Sequence, residues 1–330
     1  MKKKVKKMLV CNSNMFVPTV LTEVLSYPQN SYLVISDTKN IVSFFNFLNL
    51  CNVDFIDYDG LERGKNFIRG KRKLLSLIDL YDIEQVVFFH AEFGEMANWL
   101  IKRLSKFTPI KYCKIYDKMP LPPYKSFFKA MKIKIKQKVF WGMDVNILDR
   151  GRPIPSLPDS FFSQICAEII EMPIDRNLIS DYMSQKLSCF KNHGKIVLLT
   201  GTVVKVGLCP PKEYEQLINQ VLDLLGIENT VSKCHPRFSD MYGREKLLQQ
   251  IPSYIPGNVL IDNYDYYIGF ESTLLVEAAV AGKKSVSLIN LLPLTNEAKQ
   301  RWHDFLDSRL QGKGTICYPQ SIEELKDILD

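Results

Sequence analysis

A histidine followed by proline, with a cation close on either side, stands at Lys233-Cys234-His235-Pro236-Arg237. The β-branched pair Thr230-Val231 just before it predicts a strand over Thr230–Cys234. His235 then falls at the carboxyl end of that strand, where Pro236 stops the ladder and fixes the exit of the chain. An imidazole held at such an edge can bind a phosphate or pass a proton near neutral pH. Lys233 and Arg237 would add positive potential for an anion. Taken alone, the segment also reads as a packed histidine between two solvated charges.

A second group follows at Gly269-Phe270-Glu271-Ser272-Thr273, leading into the apolar run Leu274–Ala281. Gly269 ends a strand, and Ser272 or Thr273 then opens a helix. Hydroxyls and unpaired backbone N–H groups converge at such a start, at the positive end of the helix dipole. Ser and Thr are also the ordinary capping residues there. Ser272 lies 37 residues after His235, a spacing that fits two strand ends of one sheet facing the same ligand. Leu199-Thr200-Gly201-Thr202 adds a glycine between two threonines after a buried strand, where backbone can approach a ligand closely or simply turn.

The elements that must position these residues alternate along the chain. Short apolar runs at Lys7–Cys11, Tyr32–Ile35, Val53–Ile56, Gln85–His90 and Ile110–Tyr116 are separated by helical patterns. This predicts βαβ units and a parallel sheet covered on both faces. Asp149–Pro158 holds Gly151 and the prolines Pro153, Pro155 and Pro158, and reads as a hinge. Helices are expected at Ser160–Glu171 and Asn177–Phe190. A second series begins with the strand Lys195–Leu199 and includes short strands at Val259–Asp262 and Tyr266–Gly269. The expected fold is α/β: two doubly wound Rossmann-like domains facing a cleft, the GT-B arrangement. The domains would span 1–155 and 156–330, with the last helix packing back on the first. Ligands of open α/β sheets bind beyond the carboxyl ends of the strands.

Composition narrows the class. The chain has 330 residues, 46% hydrophobic and 24% charged, the mix of a globular protein with real cores. No apolar run reaches the ~20 residues that cross a bilayer, and no signal peptide is legible. The eight cysteines form no CxxC pair. Cys11, Cys113, Cys166 and Cys234 sit in or beside apolar runs and read as buried, reduced thiols of a cytoplasmic protein. The net charge of +7 is concentrated at Lys2–Lys7 and over Lys125–Trp141, where six lysines interleave with aromatic and aliphatic residues. The latter suits an anionic membrane surface, here the inner membrane, and equally a solvated helix over a core. No nucleic-acid motif accompanies the charge.

The stretch from Lys195 to Leu288 resembles the donor domain of bacterial sialyltransferases, the polysialyltransferase-like and lipooligosaccharide sialyltransferase families. It does so through His235-Pro236, Ser272-Thr273 and Ile251-Pro252-Ser253-Tyr254-Ile255-Pro256. The resemblance implies that His235, Ser272 and Thr273 grip the phosphate of CMP-sialic acid. Pro236, Lys233, Thr200, Gly201 and Thr202 would complete the donor site. It also implies an acidic base in the first domain. Tyr116-Asp117-Lys118-Met119 is the nearest match, without the family's second acid and glycine, so Asp117 shares that role with Glu92 and Glu95 of His90-Ala91-Glu92-Phe93-Gly94-Glu95. Glu95 also reads as a helix-start carboxylate. The implied reaction is inverting transfer of sialic acid to a glycan acceptor, free or lipid-linked, of a surface polysaccharide. No cofactor or metal is implied; Asp262, Asn263 and Asp265 read as a polar turn. A transferase for another CMP-linked keto sugar such as Kdo shares the phosphate grip, an epimerase of this outline uses UDP, and a non-catalytic glycan-binding module uses neither.

Overall fold

The computed structural model describes residues 2–59, 67–89, 95–113, 123–149, 153–188, 195–200, 203–235 and 240–329. It divides into two compact units, residues 1–175 and 176–330. Both are α/β with parallel sheets.

The first unit opens with β1 (Lys3–Val10), α1 (Val17–Ser26), β2 (Tyr32–Ser36), α2 (Lys39–Leu48) and β3 (Val53–Asp57). It continues through α3 (Phe67–Ile78), β4 (Tyr81–Phe89), α4 (Glu95–Leu104), β5 (Ile110–Cys113) and α5 (Phe127–Lys136). A π-helical turn, Gln137–Trp141, extends α5, and β6 (Asn146–Asp149), β7 (Pro153–Ser156), α6 (Asp159–Gln164) and β8 (Glu168–Ile170) complete the unit. Its main sheet has the order β3-β2-β1-β4-β5-β8, all parallel. Central strands of such sheets are covered on both faces, so they read as continuous apolar runs; every residue of β2 is buried. Helices cover the sheet with one stripe each. In α2, Ile41, Phe44, Phe45 and Leu48 are buried at the i, i+3, i+4, i+7 spacing of a single face.

The second unit contains α7 (Arg176–Leu187), β9 (Ile196–Thr200), α8 (Pro211–Leu225), β10 (Thr230–Cys234) and β11 (Gln249–Ile251). β12 (Tyr266–Gly269), α9 (Thr273–Val280), β13 (Lys284–Ser287), α10 (Asn296–Asp307), β14 (Ile316–Cys317) and α11 (Ile322–Leu329) follow. The sheet order, β11-β10-β9-β12-β13-β14, repeats the doubly wound pattern of the first unit. Local chemistry sets the helix ends: α8 begins at Pro211, whose fixed φ suits the first turn, and stops at Gly226 with φ 77°.

The structure departs from the expectations at several points. Asp149–Pro158 is not an open hinge: β6 and β7 pair antiparallel across it, Asn146 opposite Ser156. The division falls at 175/176, not 155/156, because β8 pairs with β5 in the first sheet. The helix expected over Ser160–Glu171 therefore ends at Gln164, before β8. Residues 259–262 form 3-10 turns, Gly257–Val259 and Ile261–Asn263, because Pro256 and Gly257 impose turn geometry ahead of the apolar triplet. In α11, Leu325 is buried in the core of the second unit with Leu222 and Val286. Among the thiols, Cys11, Cys113 and Cys234 are buried as expected, but Cys166 is exposed, in a left-handed turn (φ 50°) after α6.

Candidate functional site

The register of the second sheet places the candidate side chains. β9 lies between β10 and β12, with Thr200 opposite Cys234 on one side and Leu198 opposite Ile268 on the other. The carboxyl ends of three adjacent strands thus meet at the level of Thr200, His235 and Gly269. The winding reverses between β9 and β12, because the chain runs outward through β10 and β11 and then crosses to the far side of β9. This is the topological switch point, where doubly wound sheets bind ligands.

His235 is the first residue beyond β10. Its backbone N–H donates to the Thr200 carbonyl at 3.1 Å, which extends the ladder by one bond and fixes where the half-buried imidazole leaves the sheet. On the other side of β9, Ser272 caps α9: its hydroxyl accepts from the Leu274 N–H at 3.3 Å. Thr273 is the exposed first residue of that helix. The turn leading to Ser272 is held from below, where the buried Ser287 hydroxyl donates to the Phe270 carbonyl at 2.6 Å. Gly269 makes this turn possible, since a β-carbon there would lie 2.8 Å from Cβ of Leu199. β10 and β12 are two strand spacings apart, about 9–10 Å.

Lys233 is the residue whose setting the sequence did not convey. Only 5% of it is exposed. Its ammonium donates to the carbonyls of Cys234 at 3.3 Å and Ser253 at 3.5 Å, both long. Among the described residues no carboxylate pairs with it. Burial pushes its pKa down from 10.5 to about 8. A cation kept in so poor a solvent at a sheet edge is electrostatically prepared for an anion. Thr200, in contrast, turns its hydroxyl into the sheet, 3.1 Å from the Ser232 hydroxyl and 3.4 Å from the Cys234 sulfur; it contributes its carbonyl to the site's architecture. Gly201, Thr202, Pro236 and Arg237 lie outside the described residues.

In the first unit, β4 and β5 are adjacent and end at Phe89 and Cys113. The segments that follow carry Glu92 and Asp117, which lie outside the described residues. Glu95 is described: it occupies the first turn of α4 and accepts a short hydrogen bond from the buried Gln137 side chain. That contact gives Glu95 a role in tying α4 to the end of α5. A further polar group lies at the same sheet edge, where Asn12 accepts from the Asp37 N–H at 3.2 Å and donates to the Tyr58 hydroxyl at 2.5 Å. Its signal in the sequence is a polar residue directly after each apolar strand. Burial raises the pKa of the Asp37 carboxyl. Among the described residues no three His, Cys, Asp or Glu side chains gather as metal ligands.

No family model matches the chain, and no curated protein matches it. Among solved structures it is similar to a UDP-GlcNAc 2-epimerase from Methanocaldococcus jannaschii, with 11% identity and a TM-score of 0.47 over 99% of this chain and 91% of that one. The E. coli heptosyltransferase WaaC gives 8% identity and a TM-score of 0.48 over 98% of this chain and 99% of that one. A wall teichoic acid polymerase, TagF, gives 10% and 0.44 over 99% and 88%.

Proposed function

We propose that the protein is an inverting, metal-independent glycosyltransferase of GT-B type that moves sialic acid from CMP-sialic acid to a glycan acceptor of a bacterial surface polysaccharide. The observation that carries this reading is the placement of His235 just beyond β10 and of the Ser272-capped start of α9 just beyond β12, on either side of β9 at the switch point. Each presents a donor or a positive charge where an anionic leaving group would sit. As the glycosidic bond to a CMP donor breaks, negative charge develops on the phosphate, and preorganised donors stabilise that charge more than the ground state. Hydroxyls and N–H groups at the α9 start would bind phosphate oxygens, and His235 would donate to the same group. Lys233 would neutralise it without a divalent ion. The second unit is thus the donor-binding half and the first the acceptor-binding half. Asp117, with Glu92 as the alternative, would take the proton of the acceptor hydroxyl. Glu95 suits that task less well, because Gln137 already engages it.

Nucleotide choice tests this reading cheaply. A ligand that binds only the native state raises the melting temperature, by more the further its concentration exceeds its Kd. CMP is expected to raise it, and UDP, GDP and ADP to leave it unchanged at the same concentration. Stabilisation by UDP instead would move the protein toward epimerase chemistry. No stabilisation by any nucleotide would argue for a non-catalytic glycan-binding module.

A further inference from the structure

The outer face of α5 is exposed, and its composition is unusual for a solvated helix. From Lys125 to Trp141 there are six lysines and no acidic residue. No residue of α5 itself is buried. Phe127, Phe128, Met131 and Ile135 are exposed, Phe128 by 86%, and Val139 and Phe140 continue the exposed apolar surface beyond Gln137.

The helical geometry sorts these side chains. At 3.6 residues per turn, Phe127, Met131, Ile135 and Phe128 fall within an arc of about 100°. Ala130 and Ile133 lie on the opposite side and pack against the first unit's core, where Gln137 is also buried. Lys132 borders the apolar arc along one edge and Lys134 along the other, with Lys136 and Lys129 further round beyond Lys132. The apolar ridge therefore points away from the protein and is flanked by cations on both sides. A solubilising helix has the reverse arrangement, with its apolar stripe inward.

The far end of the segment is firmly attached. Trp141 is buried. The Lys71 ammonium sits 4.4 Å from the centre of its ring and donates to the Phe140 carbonyl at 2.6 Å. Lys102 donates to the Gly142 carbonyl at 2.7 Å. The ridge is thus presented on a fixed support, and only its outward side chains await an environment.

We propose that this ridge docks the protein on an anionic phospholipid surface, with α5 lying in the plane of the interface. Aromatic and aliphatic side chains would enter the headgroup boundary, and the flanking lysines would meet lipid phosphates, the pattern of an interfacial helix. Charge complementarity selects this occupant over an apolar protein groove, because five lysines, Lys125, Lys129, Lys132, Lys134 and Lys136, have no carboxylate partner among the described residues. Lys138 is paired with Asp144. Three of the N-terminal lysines differ in this respect: Lys3 pairs with Asp54, Lys6 with Glu84 and Lys7 with Glu23. Each of these three charges already has an acidic partner beside it.

Vesicle flotation tests the assignment without any sugar nucleotide, so its outcome is independent of the proposed activity. The full chain is mixed with phosphatidylcholine vesicles that contain phosphatidylglycerol, and with pure phosphatidylcholine vesicles. It is expected to float with the first at low salt, to release at high salt as the attraction is screened, and to ignore the second. Each lysine near an anionic surface contributes about a five-fold change in partitioning, the equivalent of ~1 kcal/mol. Replacing Lys129, Lys132, Lys134 and Lys136 by Gln should lower binding at least ten-fold, as should the pair Phe127→Ser and Phe128→Ser. All these side chains are exposed, so melting temperatures should stay near the parent's. Lys2→Gln with Lys4→Gln should bind like the parent. The proposal is overturned if the parent ignores anionic vesicles, if either α5 variant binds equally well, or if the N-terminal variant loses as much as they do. A parent that sediments as a dimer, a Phe variant that sediments as a monomer and vesicles that bind neither would make the ridge a subunit interface instead.

Discussion

His235→Ala is expected to lower turnover of CMP-sialic acid by about two to three orders of magnitude, the cost of removing one preorganised donor to developing charge. Folding should be preserved. The bond that seats this position is made by its backbone N–H to Thr200, and alanine keeps it. The imidazole is half-buried at a strand end rather than packed in the core, so its removal leaves little cavity. The loss should fall on kcat more than on KM, because the interaction strengthens as the phosphate departs. Steady-state kinetics beside a thermal melt checks it. A variant that turns over at nearly the parent rate would remove His235 from the mechanism.

Lys233→Met should act in opposite directions on stability and on activity. In the fold the ammonium titrates near pH 8 rather than 10.5 because burial disfavours its charged form. The penalty is fully present below pH 8, where folded and unfolded chains are both protonated. It shrinks as pH rises from 8 to 10.5, where the unfolded chain holds the proton and the folded chain does not. At neutral pH the methionine variant should therefore be more stable, by up to about 3 kcal/mol, and should lack the parent's gain in stability above pH 8. Donor binding should weaken about ten- to a hundred-fold, the range of a charge-assisted hydrogen bond. In the parent, affinity for the donor should fall as pH rises above about 8, when the lysine must regain a proton to meet the phosphate. In the variant that fall should vanish. Calorimetric titration at several pH values with parallel melts reads both effects. A destabilised variant, or a parent affinity that is flat from pH 7 to 9, would make Lys233 an ordinary structural residue.

The doubly wound plan was legible because parallel strands covered on both faces advertise themselves as apolar runs, such as Tyr32–Ser36 and Ile196–Thr200. What stayed hidden is short, polar or rich in proline. β11 is only Gln249–Ile251, with two glutamines, and lies at a sheet edge. β7 contains Pro153 and Pro155, which read as breakers but are tolerated in a two-stranded ribbon. Within the site, His235 and Ser272 were legible because a strand's end and a helix's start leave clear marks. The setting of Lys233 was not. Charged residues beside a strand end usually face solvent, and its burial depends on β11 and the Ser253 carbonyl, which arrive later in the chain. The same holds for Glu95, whose partner Gln137 is brought to it only by tertiary packing.

The central claim is a donor and a chemistry: a CMP-linked sialic acid whose phosphate is held by protein groups alone. It is tested most directly by following CMP release from CMP-sialic acid in the presence of a bacterial surface glycan and excess EDTA, with UDP-, ADP- and CDP-linked substrates run alongside. The account predicts CMP release from CMP-sialic acid at the same rate with and without EDTA, with sialic acid appearing on the glycan and no turnover of the other donors. Turnover of a UDP- or ADP-linked sugar in its place, or a strict requirement for added Mg²⁺ or Mn²⁺, would contradict it.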